Sequence, residues 1–180
     1  MIEKKINEIT AEDLKTKIIV YPTDTVYGVG CNALDSALVD KVCEIKKRDR
    51  GKPISVIAPS KEWILRNFAC AEGAIDKYLP GAYTLVLKKK NPGFLKGVSV
   101  GNSVGVRIIM HDFQNVVSLV GVPFVTTSAN VSGDESPTSF GRISEEVKNK
   151  VDVLIDGGKL SGKPSKVIDL TEDKERIIRE

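Results

Sequence analysis

The sequence predicts an α/β (α+β) fold, one twisted mixed β-sheet with flanking helices. Two observations predict it. Short runs of branched and aromatic residues alternate with stretches whose apolar residues recur at helical spacing. Near the C-terminus those short runs follow one another too closely for helical crossovers, so some neighbouring strands must be antiparallel.

The elements follow in chain order. Thr10, with Asp13 three positions on, forms a capping box that starts a helix over residues 11–15. Residues 18–21 read as a buried strand, branched and closed by Pro22. Leu38, Val39, Val42, Cys43 and Ile45 place a helix over 36–47. A strand covers 54–58. Short helices cover 61–68 and 74–79, the second stopped by Pro80-Gly81. The rhythm then repeats, with strands over 83–87 and 104–109, a helix over 113–120, a strand over 124–127 and a helix over 144–148. Strands over 153–155, 166–170 and 176–178 close the chain. No internal repeat or low-complexity linker interrupts it. A length of 180 residues suffices for one core, so residues 1–180 are expected to form a single domain.

Composition narrows the function. With 41% hydrophobic and 28% charged residues, whole-chain disorder is excluded. A net charge of +3 suits nucleotides or RNA without demanding either. Cys31, Cys43 and Cys70 are scattered, and His111 is the sole histidine, so neither a zinc site nor a disulfide framework is expected. That cysteine usage fits a reducing compartment. No apolar run approaches the roughly 20 residues that span a bilayer, and the N-terminal segment lacks the apolar core of a signal peptide. The expectation is a soluble, cytoplasmic protein with no membrane partner.

Four segments carry candidate chemistry. Residues 21–28 leave a strand and gather hydroxyls from Thr23, Thr25 and Tyr27 around Asp24, a set that could bind a small zwitterion or simply satisfy a turn. Residues 46–53 place Lys46, Lys47, Arg48, Arg50 and Lys52 at a helix end. Such a run either complements the helix dipole or clamps a polyphosphate. Arg107 lies in an apolar strand and needs a partner, which is either a substrate carboxylate or an internal Asp or Glu. Residues 126–133 follow a strand and are dense in small donors and acceptors. Neither a P-loop nor a Rossmann fingerprint is present, and nothing pairs His111 with a nucleophile.

In this order, the segments resemble the YrdC-type threonylcarbamoyl-AMP synthase family. The resemblance rests on Pro22-Thr23-Asp24-Thr25-Val26-Tyr27-Gly28, Lys46-x-Arg48 with Lys52-Pro53, Pro80-Gly81-Ala82-Tyr83-Thr84, Val104-Gly105-Val106-Arg107, and Thr127-Ser128-Ala129-Asn130 with Ser132-Gly133. It implies a sheet around a basic concave cavity. It also implies a reaction in which L-threonine, bicarbonate and ATP yield threonylcarbamoyl-adenylate and pyrophosphate for tRNA modification. A tRNA and a threonylcarbamoyl-transferase complex are the implied partners, and Mg²⁺ the implied counter-ion of ATP.

The resemblance also implies roles. Lys46 and Arg48 would act at the ATP phosphates, with Lys52, Ser103, Ser128, Asn130, Ser136 and Arg179 as further ATP contacts. Thr25, Arg107, Thr126 and Ser165 would hold threonine. Lys166 stands where threonine is usual after that serine, and Ile109 where many relatives have proline. The rival expectations are a non-catalytic module of this fold binding double-stranded RNA or tRNA, and a carbamoyl-transfer domain like those in hydrogenase maturation proteins. The latter sit in long chains with zinc-binding cysteines.

Overall fold

A computed structural model describes residues 1–49, 51–70, 72–99, 101–160, 162–172 and 174–180. Its strands are β1 (Ile2–Lys4), β2 (Ile19–Tyr21), β3 (Gly28–Gly30), β4 (Ser55–Ile57), β5 (Phe68–Ala69), β6 (Tyr83–Lys89), β7 (Ser103–Arg107), β8 (Phe124–Ser128), β9 (Val153–Ile155), β10 (Lys166–Asp169) and β11 (Arg176–Arg179). Its helices are α1 (Ala11–Thr16), α2 (Ser36–Ile45), α3 (Lys61–Asn67), α4 (Glu72–Tyr78), α5 (Phe113–Val120) and α6 (Glu145–Lys148).

All strands join one sheet in the order β1-β9-β2-β3-β8-β4-β7-β6-β10-β11, with β5 paired to β6. The sheet is mixed, as expected. The pairs β1/β9, β2/β9, β4/β7 and β6/β10 are parallel, whereas β2/β3, β3/β8, β8/β4, β6/β7 and β10/β11 are antiparallel.

Every element expected from the pattern forms, with ends displaced by a few residues. Three strands were not expected. β3 is Gly-Val-Gly and shows no side-chain alternation. It is a strand because its backbone presses against neighbours: a Cβ on Gly30 would stand 1.7 Å from the Val125 carbonyl oxygen, and one on Gly28 would stand 2.9 Å from the Tyr21 ring. β1 is an edge strand with Ile2 half exposed, and β5 is two residues long.

The capping box at α1 forms as read. Thr10 Oγ1 accepts from the Asp13 amide at 3.1 Å, and Asp13 Oδ2 accepts from the Thr10 amide at 2.9 Å and from Lys4 Nζ at 2.6 Å. Burial alone would raise the Asp13 pKa, but the Lys4 and Thr10 hydrogen bonds outweigh it and hold the carboxyl below its usual value. A carboxyl with a lowered folded pKa stabilises the fold above its unfolded pKa, near 4, and loses that effect as pH falls. Asp13→Asn is therefore expected to lower Tm at pH 7, with the gap to wild type closing below about pH 4. A gap that stays constant with pH in thermal melts would contradict this.

Alternation splits the sheet's side chains between two apolar clusters. Val20, Val29, Val56, Leu85, Leu87, Val104 and Val106 meet Leu38, Val39 and Val42 of α2, Ile64 of α3 and Ile75 of α4. On the opposite face Ile19, Tyr21, Ile57, Phe124, Val153 and Ile155 meet Leu14 of α1 and Phe113 and Val117 of α5. Tyr21 stacks on Phe113 at 4.0 Å. Beyond α5 the apolar row on this second face stops. The positions that alternate with Val56, Val106 and Leu85 are Ser55, Gly105, Arg107 and Thr84. This stretch of sheet, which carries hydroxyls and an arginine, is where the cavity opens.

Candidate active site

The floor of the cavity is this polar stretch of sheet. Thr126 of β8 pairs with Ser55 of β4, and Gly105 of β7 sits between Ser55 and Thr84. A Cβ on Gly105 would fall 2.5 Å from Ser55 Oγ and 3.0 Å from Thr84 Cγ2, so the strand carries no side chain there. The cavity is about 590 Å³. Its walls come from residues 46–55, 126–136, 164–165 and Arg179, and from the Thr23–Gly28 loop. Lys46, Lys47, Arg48, Lys52, Arg107 and Arg179 line it, with Asp49 and Asp134.

Lys46 caps α2 and is 2% exposed. Its ammonium donates to the Ser128 carbonyl and, at 2.7 Å, to the Asn130 carbonyl, while its own carbonyl accepts from the Ser132 amide at 2.8 Å. One lysine thus sews the end of α2 to the exit of β8. Burial pulls its pKa down to about 8; Arg48 pushes the same way, and Asp134 opposes. The next residue, Lys47, adopts φ 48°, which turns the chain along the wall. Arg48 donates from Nη2 to the Pro53 carbonyl at 2.8 Å, and its Nε is buried with no partner. Arg50 lies outside the described residues. Asn130 spends its amide on the Val131 and Asp134 carbonyls, at 2.9 and 2.8 Å, shaping the 130–134 turn.

Arg107, at the end of β7, is 6% exposed. Of the two partners left open for it, an internal carboxylate is present: Nη2 lies 2.8 Å from Asp24 Oδ1. Thr25 Oγ1 is a more distant acceptor at 3.4 Å. Its Nε remains buried and unpartnered. The hydroxyls of Thr23 and Thr25 lie 2.9 Å apart, and Thr23 donates to the Val26 carbonyl at 2.7 Å, so the loop is locked from within.

Ser165 forms the far wall. Its hydroxyl meets Thr84 Oγ1 at 2.8 Å, and its carbonyl accepts from Arg179 Nε and Nη2 at 3.0 and 2.7 Å. The segment leading to it lies on the Thr25 loop. Tyr27 Oη donates to the Gly158 carbonyl at 2.8 Å and accepts from the Gly157 amide at 2.9 Å. A Cβ on Gly162 would stand 1.8 Å from the Thr25 carbonyl oxygen.

Of the residues expected at the site, Thr25, Lys46, Arg48, Lys52, Arg107, Thr126, Ser128, Asn130, Ser136, Ser165 and Arg179 line this one cavity. Ser103 does not. It begins β7, paired with Lys88 and four residues from Arg107, which is roughly 13 Å along a strand. Ser55, Thr84 and Asp134 also line the cavity without having been singled out as contacts. The signal for the first two was available: both are hydroxyls in strands, at positions where alternation predicts a second apolar row. His111 is not on the lining, and its Nδ1 accepts from the Phe113 amide at 3.3 Å. Among the described residues no group of three or more His, Cys, Asp or Glu is placed to hold a metal, and no helix is long and apolar enough to cross a membrane.

The arrangement can grip two anionic groups at once. Cations beside a hydroxyl floor suit phosphates, and a buried guanidinium with a free Nε suits a carboxylate.

Comparison with known proteins agrees with the fold. A family model described as "Telomere recombination", covering Sua5, YciO and YrdC proteins, matches residues 14–180. A Methanocaldococcus jannaschii relative is 42% identical over 98% of this chain and 86% of its own length. A Pyrococcus abyssi threonylcarbamoyl-AMP synthase is 37% identical over 91% of this chain and 50% of its own. The crystal structure of P. abyssi Sua5 complexed with L-threonine superimposes with a TM-score of 0.84 at 33% identity, covering 99% of this chain and 56% of that one. The chain thus spans about half the length of the Pyrococcus proteins it matches.

Proposed function

The chain belongs to the Sua5, YciO and YrdC family, and on that premise we propose that it is a nucleotidyltransferase making threonylcarbamoyl-adenylate from L-threonine, bicarbonate and ATP. One observation carries the reading. Arg107, with its unpartnered Nε, shares a single cavity with Lys46, Arg48 and Lys52. A cavity of about 590 Å³ falls within the usual range of ligand sites, roughly 300–1,000 Å³.

In this reading the threonine carboxylate takes Arg107 Nε, with the Thr25 and Thr126 hydroxyls beside it. The triphosphate takes Arg48, Lys52 and the Lys46 ammonium. Threonine nitrogen joins bicarbonate carbon with loss of water, giving an N-carboxylate. An oxygen of that carboxylate attacks the α-phosphorus, and the bond to the bridging oxygen breaks as pyrophosphate leaves. The protein supplies placement and charge compensation rather than a covalent nucleophile. ATP enters as Mg-ATP. Magnesium is usually held by one or two carboxylates together with substrate phosphates and waters, and Asp49 and Asp134 on the wall fit that need. The adenylate would pass to a transferase complex that modifies tRNA.

The test is pyrophosphate release with threonine, bicarbonate and Mg-ATP together, against controls lacking each. Release that does not depend on threonine would end the reading. A module that only binds RNA would show no threonine dependence and no thermal stabilisation by threonine with ATP.

Lys46 adds a pH signature. With its pKa lowered to about 8, part of the free protein carries a neutral lysine above that pH. A bound triphosphate favours the charged form and restores the proton. ATP binding at pH 8.5 is therefore expected to take up protons, with affinity falling as pH rises through 8. Calorimetry in two buffers of different ionisation enthalpy reads this directly, and identical heats would contradict it.

A further inference from the structure

Asp24 stands behind the cavity, not in it. It is absent from the lining, and its side chain is 10% exposed. One carboxylate oxygen lies 2.8 Å from Arg107 Nη2, and the other accepts from the Met110 amide at 3.3 Å. Asp24 is fixed by its position between Thr23 and Thr25, whose hydroxyls close on each other and whose loop is pinned through Val26. The cations at the other wall, Lys46, Arg48 and Lys52, have no comparable buried carboxylate against them among the described residues. The charge of the cavity is therefore uneven. At the Arg107 end a buried guanidinium and a largely buried carboxylate offset each other in direct contact, while at the 46–52 end the carboxylates on the wall, Asp49 and Asp134, are exposed and the cations outnumber them.

That asymmetry matters because a polyphosphate and its hydrolysis products are attracted to any exposed guanidinium. An uncompensated Arg107 would bind phosphate as readily as a carboxylate. With Asp24 beside it, the pair is nearly neutral at range, and a phosphate pressed against Arg107 also meets a fixed negative charge in a poorly screened interior. A zwitterion suffers less, because its ammonium is attracted to the same carboxylate that repels its own carboxyl group.

We propose that Asp24 is a specificity-determining residue, which by compensating Arg107 reserves that end of the cavity for a zwitterionic amino acid and keeps phosphate anions off it. The inference rests on the amino-acid reading of the site. Calorimetric titration of threonine into wild type and Asp24→Asn, with and without inorganic phosphate, tests it. Phosphate should compete with threonine at least ten-fold more strongly in Asp24→Asn, while Asp24→Glu keeps the wild-type discrimination. A merely structural role cannot yield tighter anion binding. It predicts joint loss of threonine and phosphate binding with a lowered Tm, and that result overturns the proposal, as does unchanged competition. Should Asp24→Asn not fold, Asp24→Ser is judged by the same criterion, and failure of both to fold leaves only the structural role. If wild type binds no threonine, the amino-acid reading itself falls. If it does bind threonine and the variant gains no phosphate competition, only the role of Asp24 falls.

Discussion

Lys46→Ala is expected to cut threonine-dependent pyrophosphate release by about 10²–10³-fold, the loss typical when one group aimed at developing charge is removed. Two effects combine. The triphosphate loses a cation in a water-poor wall, where charge counts for more than on the surface. The carbonyls of Ser128 and Asn130 also lose the ammonium that joins them, so the turn carrying Ser132 and Asp134 is left with the backbone bond from the Ser132 amide to the residue 46 carbonyl. Leaving such acceptors unpaired costs about 1–3 kcal/mol each. Lys46→Arg should not rescue, because a planar fork cannot replace a point donor seated between two carbonyls. Arg48→Ala should cost activity while sparing the fold, since among the described residues the hydrogen bond of its side chain is to the Pro53 carbonyl. Steady-state assays with thermal melts on the same samples separate the two effects. If Lys46→Ala keeps activity within ten-fold of wild type, Lys46 belongs to the scaffold alone.

How far the sequence could be read depended on whether the signal was local. α2 was legible because its five apolar residues repeat at helical spacing; the structure adds the cap Asp35, which accepts from the Ala37 and Leu38 amides. β7 and β8 were legible as branched runs. β3 was not, because what makes it a strand is the closeness of Val125 and Tyr21, far along the chain or across the sheet. The site followed the same rule. Segments 21–28, 46–53 and 126–133 stood out by their own composition, whereas Ser165 and Arg179 were named through the family resemblance alone. The partner of Arg107 could not be chosen from composition, since Asp24 lies 83 positions away. Ser103 is the reverse case: a position assigned by likeness begins a strand whose other end reaches the cavity, and it is not on the lining.

The glycines that lead to Ser165, Gly157 and Gly162, were overlooked for a physical reason. They are ordinary loop residues by composition, and their use appears only when Gly157 meets Pro22 and Gly162 meets the Thr25 backbone. Small residues there let one loop lie directly on another, and so carry Pro164 and Ser165 to the cavity wall. Charge and hydroxyl content draw attention to groups that touch ligands; close backbone approach leaves no such mark.

Gly30→Ala is expected to prevent folding or to lower Tm by more than about 10 °C, which for a chain of this length corresponds to several kcal/mol. The added methyl would sit 1.7 Å from the Val125 oxygen and 2.7 Å from its carbonyl carbon. Backbone atoms of a central strand cannot rotate aside as a side chain can, so β3 and β8 must separate. Separation strains the hydrogen bond from the Val125 amide to the Cys31 carbonyl, 2.7 Å, and the one from the Ala129 amide to the Tyr27 carbonyl, 2.8 Å. Overpacking in a core usually costs about 1–3 kcal/mol when side chains absorb it; here they cannot, and total stability is only about 5–15 kcal/mol. Gly73→Ala is the control. Gly73 is exposed within α4 and a Cβ there meets nothing within 4 Å, so the same change should stabilise by up to about 1 kcal/mol through helix propensity. Opposite signs from one chemical change, read by denaturant unfolding, are the expected result. If Gly30→Ala melts with wild type, β3 and β8 do not approach as closely as this register requires, and the cavity wall they support would have to be redrawn.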